Sequence, residues 1–202
     1  TTLLGGVPAI VKPATSTCYV TEAAVKIMLG SGILPDGALQ LVSGGLGDML
    51  DHLTLQDVVS FTGSASTALK LRSTPVILEN SVRFVAEQDS LNASILGPDA
   101  VPGTPEFDLF IKEAAREMTT KAGQKCTAIR RIITPEAQTE AVIEALSARL
   151  AKTQIGDPRL ETTRMGALVS NSQKRDVLDK AAILGAEATR VYGDPENFIV
   201  DG

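Results

Sequence analysis

The sequence predicts an α/β fold with mostly parallel sheets covered by helices. Three observations carry this. Short apolar runs of strand length alternate with longer stretches of helical spacing along the chain, which is the pattern of strands joined by helical crossovers. Of 202 residues 44% are hydrophobic, yet there are only five Phe, two Tyr and no Trp, so the core must be built from Val, Ile, Leu and Ala. Gly and Pro punctuate the junctions between the runs.

Taken in order, "VPAIVKP" (7–13) reads as a buried strand ended by Pro13. "TSTCYVTEAAVKIMLGSG" (15–32) opens on hydroxyl residues and stops at Gly, so it predicts a helix. "GALQLVSGG" (37–45) is a strand entering a glycine-rich turn, and "LGDMLDHL" (46–53) a short helix. "DVVSFTG" (57–63) is a strand running straight into the helix "SASTALKLRS" (64–73). "SVRFVAE" (81–87) and "NASILG" (92–97) are strands. "PEFDLFIKEAAREMTTKAG" (105–123) is a long amphipathic helix with Gly123 as its cap. The strand "TAIRRIITP" (127–135), the helix 135–153, the extended piece "MGALVS" (165–170), the helix 172–186 and the strand "TRVYG" (189–193) follow. "NFIVDG" (197–202) reads as a strand. Pro, Gly and Asp crowd together between 88 and 104, which divides the chain into parts 1–90 and 91–202. The start without Met and the end on an apolar run suggest a piece of a longer protein.

Composition excludes several classes. A net charge of −5 with no long basic run argues against nucleic acid as a partner. No apolar run is long enough to span a bilayer. Cys18 and Cys126, far apart in sequence, make no disulfide framework, and with the one histidine, His52, they form no metal-ligand pattern. A reducing cytoplasm is the expected setting.

Four places could carry chemistry. Ser64 is placed to cap the helix after Thr62-Gly63, and a capped helix start with a glycine before it favours a phosphate, although an ordinary capped turn reads the same way. Lys12 ends a strand, where ligands of open α/β sheets bind, but the residues alone favour a solvated strand-end lysine. Glu87 closes another strand and could act as a general base if partly buried, or could be a surface residue. Cys126 lies in "KAGQKCTAIRR" among Lys125, Arg130 and Arg131, cations that favour a thiolate, yet a free cysteine is usually inert. Cys18 reads as packing, and His52 has no local link to either cysteine.

In their order along the chain, "VKPA", "FTGS", a glutamate closing a strand and "GQKC" together resemble the aldehyde dehydrogenase superfamily over essentially the whole sequence. "AEQDSLN" and "MTTKAGQKCTAIRRIITP" look most like the PaaZ-type dehydrogenase domains of phenylacetate degradation and the semialdehyde dehydrogenases of aerobic benzoyl-CoA breakdown. The resemblance implies a Rossmann-like cofactor part followed by a catalytic part, with NADP or NAD as cofactor. It implies Cys126 as nucleophile, its backbone N–H and an asparagine upstream of Thr1 as oxyanion donors, and Glu87 as the base that activates the deacylating water. Lys12 would hold the adenosine ribose, with Gly63 and Ser64 along the pyrophosphate. The implied substrate is a small aldehyde, on this likeness a CoA-linked semialdehyde, and the full-length protein a homo-oligomer.

The sequence departs from the family pattern in four ways. Thr15 stands where many relatives have a ribose-binding glutamate, and a hydroxyl can donate to a 2′-phosphate, so NADP is expected to serve at least as well as NAD. "EQDS" replaces the usual Gly-Gly after the glutamate, the segment from Glu87 to Cys126 is long, and Ala68 stands where a second glycine is common. With parts of the family's site outside it, the 202-residue piece is expected to be inactive alone. Two rival readings stay open: a CoA-acylating dehydrogenase, in which Glu87 is idle, and a non-catalytic dinucleotide-binding or assembly module.

Overall fold

A computed structural model describes residues 2–195 and 197–200. The chain divides into two compact units, 1–88 and 89–202. Each strand pair in it is parallel and joined by a helical crossover, which bears out the α/β expectation.

In the first unit, strand β1 (Ala9–Val11) pairs with β2 (Leu39–Leu41) across helix α1 (Cys18–Gly30). Strand β3 (Val58–Gly63) pairs with β4 (Arg83–Gln88) across α2 (Ala65–Arg72) and α3 (Pro75–Glu79). The junction between β3 and α2 follows from the residues. Gly63 ends the strand, and the Ser64 side chain accepts the Thr67 N–H at 3.3 Å, an N-cap that starts the helix. Val25, Leu39, Ala68, Ile77 and Val82 are buried.

Several expectations for this unit need correction. The strand at 7–13 is neither long nor buried: β1 has three residues and Ile10 is 55% exposed. With one strand neighbour each, β1 to β4 expose much of their faces. The helix foreseen over 15–32 begins as a 3-10 turn, Thr15–Thr17, so Cys18 is the first α-helical residue, half-buried. The segment 46–53 forms only a 3-10 turn, Met49–His52. Helix α3 was not foreseen: Pro75 at its first position and its five-residue length leave no apolar period to read.

In the second unit, β5 (Asn92–Ile95) pairs with β6 (Ile129–Ile133) across α4 (Pro105–Thr119). The Thr104 hydroxyl accepts the Phe107 N–H at 3.3 Å, Pro105 takes the first position, and Glu106 and Asp108 complement the helix dipole. Phe107, Ile111, Ala114 and Ala115 recur at helical spacing and are buried. Phe107 and Ile111 cluster with Leu96, Ala100 and Val142, the last from α5 (Thr139–Leu150). Burying Phe107 and Ile111 stabilises by about 1.5–3 kcal/mol each. Helix α6 (Asn171–Gly185) starts at a Ser170 cap. An isolated parallel bridge joins Ile155 and Met165, at the start of the extended piece foreseen at 165–170.

Two further corrections fall here. Residues 189–193 form no strand, and neither do 197–200; the last two residues of "NFIVDG" lie outside the described residues. Nor does α4 reach Gly123. It stops at Thr119, where the Thr119 and Thr120 hydroxyls donate to the carbonyls of Ala115 and Arg116 at 2.8 and 2.7 Å. These bonds satisfy last-turn acceptors that would otherwise continue the helix. Lys121, Ala122 and Gly123 then take left-handed conformations, with φ of 54°, 54° and 70°.

Among the described residues no helix is long and apolar enough to cross a membrane.

Candidate active site

Cys126 is exposed, on a turn between the left-handed run and β6. The turn is held from several sides. The Asn92 amide, at the start of β5, donates to the carbonyls of Cys126 and Ala128, the latter at 3.2 Å. Both partners are acceptors, so only the NH2 edge of the amide satisfies them. Arg130 donates through Nη2 to the carbonyls of Gly123 at 2.9 Å and Lys125 at 3.3 Å. Lys125 forms an ion pair with Glu117 of α4 at 2.7 Å, both side chains being four-fifths buried. Gln124 accepts the Val169 N–H through Oε1 at 2.8 Å and donates through Nε2 to the Lys121 carbonyl at 2.9 Å.

Two of the flanking cations have partners of their own. Lys125 is committed to Glu117, and Arg130 binds backbone carbonyls. Both build the turn that presents the thiol. The Cys126 N–H makes no hydrogen bond to any described residue. A nucleophile with a free N–H on the same residue can attack a carbonyl carbon and offer a donor to the oxygen that becomes anionic.

In the first unit, Glu87 and the "FTGS" turn come together. Thr62 pairs with Glu87 and Gly63 with Gln88 in the β3–β4 ladder. Glu87 is exposed and β4 runs one residue past it, so the partial burial considered for a general base is absent here. Lys12 directly follows β1 and donates to the Pro13 carbonyl at 3.0 Å; Thr15 begins the next turn and is exposed. His52 is exposed, 3.7 Å from Asp48. No group of three or more metal-ligating side chains gathers among the described residues.

The start of α2 suits a phosphate. The cap consumes only the Thr67 N–H, no acidic residue stands in the first turn, and the N–H groups of Ala65 and Ser66 have no acceptor among the described residues. A Cβ on Gly63 would lie 2.6 Å from the Phe61 ring, so the strand end accepts no side chain as it stands. These open donors at a helix start fit a phosphate group. The carboxyls held below their ordinary range lie elsewhere. Asp57 is lowered by the Thr54 N–H and hydroxyl, and Asp157 by the Arg159 side chain and N–H.

Sequence reasoning missed Asn92, Glu117 and the role of Gln124. Asn92 lies 34 residues from Cys126, and nothing in its strand-like surroundings marks it.

Comparison with known proteins places the fold and the chain. The aldehyde dehydrogenase family model matches residues 1–197. The chain is 50% identical over 196 residues to the 3,4-dehydroadipyl-CoA semialdehyde dehydrogenase of Aromatoleum evansii, covering 97% of this chain and 38% of that protein. It therefore spans well under half the length of that curated relative. Betaine aldehyde dehydrogenase of Staphylococcus aureus, a double mutant in complex with NAD+, superposes with a TM-score of 0.81 at 25% identity, over 93% of this chain and 37% of that one. The apo form of a single mutant gives 0.78 at 25% identity, over 90% and 35%. The chain belongs to the aldehyde dehydrogenase family.

Proposed function

We propose that the protein carrying this chain is an NAD(P)-dependent aldehyde dehydrogenase that oxidises a CoA-linked semialdehyde of aromatic-compound degradation to the acid. The observation that carries the reading is the exposed Cys126 on a turn pinned through its carbonyl, with its own N–H left open. The substrate class follows the relative named above, which shares half its aligned residues with this chain.

The Cys126 thiolate attacks the aldehyde carbon, forming a C–S bond while the carbonyl electron pair moves to oxygen. The Cys126 N–H donates to that oxyanion. A nicotinamide cofactor held at Lys12, Thr15, Gly63 and Ser64 would supply the hydride acceptor for this carbon, so that an acyl thioester would remain on Cys126. Water attacks this thioester and gives a proton to Glu87, a role taken from the family likeness and not from the exposed setting of Glu87 in this chain; the C–S bond breaks, and the acid leaves with the thiolate restored. Lys12 and Thr15 hold the adenosine ribose, and Gly63 with Ser64 lies along the pyrophosphate. Residues 1–90 thus form part of the cofactor-binding domain and 91–202 part of the catalytic domain. A cytoplasmic homo-oligomer without nucleic-acid or membrane partners completes the reading.

The test is turnover of the full protein on a CoA-linked semialdehyde with NAD+ or NADP+, following reduced cofactor and acid together. Cys126→Ala is expected to lower turnover by about 10^4-fold or more. Turnover retained in that variant overturns the proposal.

A further inference from the structure

Arg130 sits at an irregularity in the β5–β6 ladder. Asn92 pairs with Ile129 and Ala93 with Arg131, so Arg130 is an extra residue opposite no partner. A bulge of this kind bends the strand and re-aims a side chain. Here the guanidinium turns back on the cysteine turn and donates to the carbonyls of Gly123 and Lys125.

The Lys125 carbonyl belongs to the same peptide unit as the Cys126 N–H. That unit is trans, and in a planar trans peptide the C=O and N–H point in opposite directions. Arg130 and the Ala128 N–H, the latter at 3.3 Å, hold the carbonyl on one side. The Cys126 N–H must then point to the other, where it meets no acceptor among the described residues. The run before this peptide includes Lys121 and Ala122 in left-handed conformations, which cost non-glycine residues about 1–2 kcal/mol each.

We infer that Arg130 is a positioning residue, whose bulged guanidinium fixes the Lys125–Cys126 peptide so that the Cys126 N–H faces an oxyanion forming at a carbon bonded to Cys126 Sγ. This rests on the aldehyde dehydrogenase reading above. It separates the orientation of the donor from the reactivity of the thiolate, and the two can be measured apart.

The experiment uses the protein that carries this chain, with the Arg130→Gln and Arg130→Lys variants. p-Nitrophenyl acetate acetylates a cysteine through a tetrahedral oxyanion, whereas iodoacetamide alkylates it by displacement at a saturated carbon. In Arg130→Gln, acetylation of Cys126 is expected to slow by about 30- to 300-fold while alkylation changes by less than about 3-fold. Arg130→Lys keeps the charge but not the planar fork, and is expected to remain at least about 10-fold slow in acetylation. Acetylation unchanged in both variants, an equal fall in both reactions, or full rescue by lysine would each overturn the inference. If Arg130→Gln labels Cys18 as fast as Cys126, its fold is lost and the lysine variant decides. If the unmutated protein is not acetylated at Cys126, the aldehyde dehydrogenase reading fails; if it is and the variants match it, only the role of Arg130 fails.

Discussion

Asn92→Asp replaces an amide by a carboxylate of the same shape. In the native chain the amide donates to two carbonyls, those of Cys126 and Ala128. The carboxylate has no proton to give and faces two acceptors. Two lost donations at about 1 kcal/mol each, with the part-buried Ala128 carbonyl left unsatisfied, predict a local loss of about 2–3 kcal/mol. Opening of the turn then becomes about 30- to 150-fold more frequent, at 1.36 kcal/mol per decade. Amide hydrogen exchange in a peptide covering 121–131, compared between variant and unmutated protein at each pH, reads this ratio. The sign with pH follows from linkage. Facing acceptors raises the folded-state pKa of the introduced carboxyl above its unfolded value of about 3.9. Folded protein then binds more protons than unfolded, so the penalty is full well above the folded pKa and shrinks as pH falls toward the unfolded value. An exchange ratio within about 2-fold of one at neutral pH, too small for even one lost hydrogen bond, would refute the tie between Asn92 and the cysteine turn.

Other substitutions probe separate parts. Glu87→Gln is expected to abolish acid formation while leaving a burst of reduced cofactor from acylation of Cys126; unchanged acid formation would remove Glu87 from the mechanism and favour CoA as acyl acceptor. Gly123→Ala places a Cβ 3.2 Å from the Met118 carbonyl at a φ of 70° and is expected to lower stability by about 1–3 kcal/mol, read as a fall in the urea midpoint. A hydroxyl at Thr15 predicts a KM for NADP+ no higher than that for NAD+; a strong preference for NAD+ contradicts it. Ser64→Ala removes the α2 cap and is expected to weaken that helix by about 1 kcal/mol, measured by exchange of amides in 65–72.

What the sequence revealed was local and periodic. The strand–helix alternation, the cap at Ser64 and the apolar face of α4 all follow from short-range rules, and each formed as those rules require. The position of Cys126 in a turn before a strand was legible for the same reason. What escaped was long-range or against propensity. No rule of spacing predicts that Asn92 reaches a carbonyl 34 residues away, or that β6 carries a bulge at Arg130. Lys121 and Ala122 give no hint of left-handed backbone, because neither residue type favours it. Lys125 and Arg130 were visible as charges near a thiol, but charge in sequence does not say which acceptor a long side chain will find. Burial of the strands was overestimated because an apolar run does not reveal how many neighbours a strand has.

The most direct measurement is peptide mass spectrometry of the full protein, quenched in acid during turnover of a CoA-linked semialdehyde with oxidised cofactor. An acyl group on the peptide containing Cys126, absent when aldehyde or cofactor is omitted, is the expected result. An unmodified Cys126 during active turnover, or an acyl group carried by Cys18 instead, would contradict the assignment of the nucleophile.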